Sequence, residues 1–113
     1  MRTREEVLSI VRELCADLRR LFPGEIMDVI LFGSYARETA DEGSDIDVMI
    51  LLDESRQRLA EKSWQVGEIA AELLLEHGVL VSPIVENREY FDQNVQTLPF
   101  FKCIQSEGVK ISA

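Results

Sequence analysis

Apolar residues at Val7, Ile10, Val11, Leu14, Leu18, Leu21 and Phe22 recur at three-and-four spacing, so residues 3–22 are predicted to form an amphipathic helix. Thr3 and Glu6 suit a capping box at its start, and Pro23-Gly24 stops it. Ile26 to Phe32 reads as a first strand, Gly33-Ser34 as a sharp turn, "SYARE" as one or two helical turns and "ETADEGS" as a loop. Ile46 to Leu52 is a second strand, apolar on both faces except at its beginning. Residues 55–77 form the longest helix, with Leu59, Val66, Ile69, Ala70, Leu73 and Leu74 as its inner stripe and Gly78 as a left-handed cap. Val79 to Val85 follows as a third strand, "NREYFDQN" and "LPFFKCIQSEG" as short helices, and Val109–Ile111 as a final edge strand. The order α-β-α-β-α-β-α-α-β implies one α/β (α+β) domain over residues 1–113, a small sheet with helices packed against it in two layers.

Composition narrows this without altering it. With 46% hydrophobic and 29% charged residues, the 113-residue chain suits a single-cored globular domain with no room for a separate substrate domain. The charged N-terminus lacks a secretory h-region, and no apolar run approaches the roughly 20 residues needed to span a bilayer, so a cytoplasmic protein without a membrane partner is expected. Cys15 and Cys103 each lie in an apolar helical pattern and read as buried free thiols. The net charge of −9 removes a class of function: sequence-independent binding to nucleic acid needs an excess of lysine and arginine. A small anion held through a cation, or a basic protein partner, remains open.

The second strand carries the candidate chemistry. Successive strand residues alternate faces, so Asp45 and Asp47 share one, about 6–7 Å apart at the backbone. Ile46, Val48, Ile50 and Leu52 form the opposite face, which must be core. Two ionised carboxylates on a half-buried surface repel each other, and burial raises the pKa of at least one. A divalent cation removes both penalties, and an all-oxygen ligand set favours Mg²⁺ or Mn²⁺ over zinc. Asp45 alone is also explained as a turn residue after Gly43-Ser44; Asp47 is harder to dismiss, because strand interiors are depleted in aspartate. The Gly33-Ser34 turn follows a strand and precedes a short helix, a setting that lets backbone approach an anion, and Arg37 lies one turn later. An anion site and a cation site on adjacent strands suit magnesium with a phosphate.

Gly-Ser, ten intervening residues and then D-x-D between hydrophobic strands resembles the nucleotidyltransferase superfamily with the DNA polymerase β-like palm. The wording "FGSYAR…SDIDVMI" and the ending "PFFKCIQSEGVKI" are similar to the minimal nucleotidyltransferases of bacteria and archaea. The resemblance implies a mixed sheet flanked by helices and transfer of a nucleoside monophosphate from an NTP to an acceptor hydroxyl. It implies that Gly33 and Ser34 hold the triphosphate with help from Arg37, and that Asp45 and Asp47 bind two Mg²⁺ ions. The family's third carboxylate stands on a later strand; here alignment puts Ser82 at that position, with Glu86 a possible substitute at the strand's end. Proteins of this look occur beside HEPN-domain toxins, which implies ATP as substrate, a toxin tyrosine as acceptor and an antitoxin role, in a homo- or hetero-oligomer. The alternative is a weak or inactive module that neutralises a basic partner by contact; the −9 charge and Ser82 suit it.

Other residues have plainer readings. His77 ends a helix, where a cation suits the dipole. Trp64 lies off the inner stripe and is expected to pack on a neighbour, or to anchor a partner if exposed. Phe91, Phe100 and Phe101 are assigned to the core, Asp41 and Glu42 to a solvated loop, and Tyr35 either to packing or to the site.

Overall fold

The computed structural model describes residues 2–111. Helix α1 (Arg4–Leu21) starts at Thr3, whose hydroxyl accepts from the Glu6 backbone N–H at 3.1 Å. Strand β1 (Ile26–Phe32) runs into the short helix α2 (Gly33–Arg37), and β2 (Ile46–Leu52) follows the loop. A 3₁₀ turn at Arg56–Arg58 leads into α3 (Leu59–His77), which ends on Gly78 at φ +70°. Then come β3 (Val81–Asn87), α4 (Arg88–Asn94), α5 (Pro99–Glu107) and β4 (Val109–Lys110). The sheet order is β3-β2-β1-β4, with β2 and β3 parallel and the other pairs antiparallel. A parallel neighbour requires a long crossover, and α3 provides it.

The fold has three layers, not the two expected from the order of its elements. On one face, α1 and α3 bury Leu14, Leu18, Val66 and Leu73 against Val29, Leu31, Val48 and Ile50. On the other, α4 and α5 bury Phe91, Phe101 and Ile104 against Ile30, Met49 and Leu51. Covering both faces explains why β2 is continuously apolar after Asp47.

Several expectations need correction. β3 begins at Val81, not Val79, because its pairing is set by β2: Leu80 supplies only a carbonyl, to Ile46 N–H at 2.9 Å, and the ladder runs on to Leu52↔Asn87. Leu74 is exposed, lying outside the inner stripe. Cys15 is buried, but Cys103 is exposed, because Phe101 and Ile104 turn the inner side of α5 to the sheet. Phe100 is likewise half exposed, unlike Phe91 and Phe101. Trp64 remains 74% exposed and is not covered by a neighbour. Tyr35 is buried with the α1 and α3 core.

Candidate functional site

Asp45 and Asp47 sit where β2 emerges from its loop, half-buried on the α4 and α5 side of the sheet. The register aligns three residues across neighbouring strands: Phe32 of β1 faces Asp47 of β2, which faces Ser82 of β3. The Ser82 hydroxyl donates to Asp45 Oδ2 at 3.3 Å, joining the second aspartate to the same row. Phe32 closes the far side, with Phe100 packed edge-on against it at 5.7 Å between ring centres.

The turn before α2 lies against these acids. Gly33 has φ +74°, a conformation that disfavours every side chain, and a Cβ at that position would overlap the Asp47 carboxylate. Glycine is thus required twice, by backbone geometry and by space. Ser34 follows in the first turn of α2. Arg37, at its end, is exposed, with Nη1 3.4 Å from Glu107 Oε2 of α5.

The electrostatics are uncompensated. Among the described residues, neither aspartate has a salt bridge within 4.0 Å. Burial first and the Asp45 charge second hold the Asp47 carboxyl above the ordinary carboxylate value, and the more distant Arg37 only partly opposes them. Two carboxylates and a hydroxyl make an all-oxygen donor set at the mouth of a strand, which fits a hard divalent cation such as Mg²⁺ or Mn²⁺.

The structure thus brings Gly33, Asp45, Asp47 and Ser82 together at one end of the sheet. It puts Glu86 elsewhere. That residue pairs with Leu51, four positions along β2 from Asp47, or about 13 Å at strand rise. Its carboxylate is buried, accepts from Arg56 Nε at 3.2 Å and from the Asn87 N–H at 2.8 Å, and does not extend the acidic pair. Arg56 also lies over the Tyr90 ring, 3.6 Å from its centre. His77 bonds Glu13 at 2.8 Å through Nε2, beside Glu76, so a partner on α1 joins the helix-end setting. Glu107 and the Phe32–Phe100 pair went unread in the sequence; Arg37 and Glu107 are 70 residues apart, and no local signal links them.

Comparison with known proteins extends these observations. The chain is 34% identical over 106 residues to "Putative protein adenylyltransferase MJ0141" of Methanocaldococcus jannaschii, covering 94% of this chain and 99% of that protein. A second protein of that organism, "Putative protein adenylyltransferase MJ0604", is 34% identical over 98 residues, or 87% of this chain and 90% of its own length. Among solved structures, a "putative nucleotidyltransferase from Sulfolobus solfataricus" superposes with a TM-score of 0.68 at 18% identity, over 95% of this chain and 80% of that one. A "toxin-antitoxin with AMP-PNP" gives 0.53 at 20% identity, over 89% and 72%. The family model described as "Nucleotidyltransferase domain" matches residues 11–103. That span contains the Gly-Ser turn, both aspartates and Ser82, and the chain belongs to the nucleotidyltransferase domain family.

Proposed function

We propose that this chain transfers AMP from Mg·ATP to a hydroxyl of a partner protein, a tyrosine of a HEPN-type toxin, and acts as that toxin's antitoxin. The observation that carries this reading is Gly33 in a left-handed conformation laid directly over Asp47, with Asp45 on the same strand face. That arrangement sets a phosphate-type turn against an uncompensated acidic pair. Relatives named protein adenylyltransferases support a protein acceptor, and the fold shared with a toxin–antitoxin solved with AMP-PNP supports the antitoxin role and the triphosphate.

In this scheme Gly33 and Ser34 hold the triphosphate, and Asp45 and Asp47 hold two magnesium ions. Bound there, the ions supply charge neutralisation and alignment for an in-line displacement. The acceptor oxygen bonds the α-phosphorus, pyrophosphate departs and the acceptor's proton goes to solvent. Arg37 assists at the phosphates; its present pairing with Glu107 is exposed and worth at most about 1 kcal/mol, so it releases easily. By alignment Ser82 stands where the family has its third carboxylate, and a hydroxyl, a weaker metal ligand, would make the chemistry slow. Glu86, held by Arg56, takes no part.

Incubation with α-labelled ATP, Mg²⁺ and the product of the neighbouring gene is expected to label that partner on tyrosine. Ser82 favours a second reading, a binding module that neutralises its partner by contact. A tight complex that takes up no label would establish that reading and end the first.

A further inference from the structure

Helix α3 carries two apolar faces, and the fold uses one. Its inner face, Leu59, Val66, Ala70 and Leu73, is buried against the sheet. At 100° per residue, Ala60, Trp64, Gly67, Ala71, Leu74 and Leu75 fall within about 100° of one another on a second arc facing outward. Trp64 is 74% exposed and Leu75 88%. The shallow groove around Trp64 and Gly67 is lined by α3 alone, so no other element of the described chain covers it. By contrast, the outer side of α1 is mostly charged, with Arg12, Glu13, Asp17, Arg19 and Arg20 around Ser9 and Ala16.

Two properties of the arc specify what fits it. Positions 60, 64, 67, 71 and 74 are separated by four, three, four and three residues, the 3.5-residue repeat that mates with another helix at a shallow crossing angle. Gly67 at its centre has φ in the ordinary range, and an added Cβ there would meet nothing within 4 Å. Among the described residues no contact requires this glycine, yet glycine inside a helix costs about 1 kcal/mol relative to alanine. A glycine here leaves room for the close approach of an outside backbone. The charge beside the arc sets the partner's sign. Glu61, Glu68 and Glu72 form an acidic row along one edge, while the helix's lysine, Lys62, is engaged by Glu25 at 3.1 Å on the inner side. Among the described residues none of the three glutamates in that row has an ion pair within 4.0 Å: Arg20 of the adjacent α1 shares a groove with Glu68 and Glu72 but pairs with Asp17. A second copy of this chain, also at −9, would bring one acidic row against another.

We infer that the outer face of α3 docks an amphipathic helix of a different protein, with lysine or arginine along the flank that meets Glu61, Glu68 and Glu72, and Trp64 as its anchor. This surface stands independently of AMP transfer, since α3 and the aspartates lie on opposite faces of the sheet.

Trp64 is the single tryptophan, so its fluorescence reports occupancy directly. The probe is a synthetic 21-residue helical peptide with leucine at 3.5-residue spacing and lysine on both flanks. Controls are a scrambled peptide of identical composition and a glutamate-flanked version. A saturable blue shift with the first peptide is expected, with affinity at least about tenfold above either control. Gly67→Glu, with unchanged circular dichroism, is expected to weaken it by about tenfold or more. Equal binding of the scrambled peptide would reduce the effect to net charge and overturn the inference, as would the absence of any shift at millimolar peptide. Sedimentation showing a dimer that Trp64→Ser dissociates would also overturn it, by making a second copy the occupant. None of these readings involves ATP, so they do not depend on whether label is transferred.

Discussion

Two buried or half-buried acidic positions lie on the same face of this sheet and have opposite fates. Glu86, near the end of β3, is closed in by Arg56, the Asn87 N–H and the Tyr90 ring on which Arg56 rests. Asp47, about 13 Å away at strand rise, has Asp45 as its nearest charge and Gly33 pressed against it. A carboxylate whose charge the fold already balances contributes structure. One that the fold leaves in conflict raises the energy of the protein, and a bound cation would recover that energy. Uncompensated charge therefore marks the end of the sheet proposed to hold metal, and compensated charge the other.

The sharpest way to break this contrast is Asp47→Asn. Label transfer from ATP is expected to fall by at least about a hundredfold, and the Mg·ATP-dependent rise in melting temperature to vanish. Unchanged affinity for Mg·ATP by isothermal titration would mean that the two acids are alike after all. Next in size is Ser82→Asp, which adds the carboxylate that this register lacks. Transfer in Mg²⁺ is expected to rise by about tenfold or more, while the metal-free protein melts lower because a third like charge joins the row. A drop in activity would show that Ser82 is placed for another purpose.

At the inert end, Arg56→Ala removes the partner of a buried acid and is expected to cost about 1–2 kcal/mol in urea unfolding, with Mg·ATP affinity unchanged. The smallest effect is in pH. The folded pKa of Asp47 lies above its unfolded value, so the stability from this group is complete below the unfolded value and is lost as pH rises through the folded one. Metal-free melts from about pH 4 to about pH 7 should therefore show a decline that Asp47→Asn lacks and saturating Mg²⁺ suppresses.

Much of this contrast was legible in the chain. Strands Ile26–Phe32 and Ile46–Leu52 stood out as apolar runs bounded by turn residues, and alternation alone put Asp45 and Asp47 on one face. The Thr3 cap and the Gly78 stop were equally local. What escaped reading depends on residues far apart in sequence. The start of β3 is dictated by where β2 begins, and Glu86 is paired with an arginine 30 residues earlier. Cys103 shows the same limit, because an apolar helical stretch does not say which side of a short helix meets the sheet. Trp64 was visible as off the inner stripe, but only the fold shows that nothing covers it.

The crossover that makes β2 and β3 parallel has a geometric outcome for any chain held on α3. It leaves the proposed docking surface behind the sheet and the two aspartates in front, so a helix seated on α3 does not itself meet them. A partner seated there that is also the acceptor would have to reach the aspartates with a second segment, passed around an edge of the sheet.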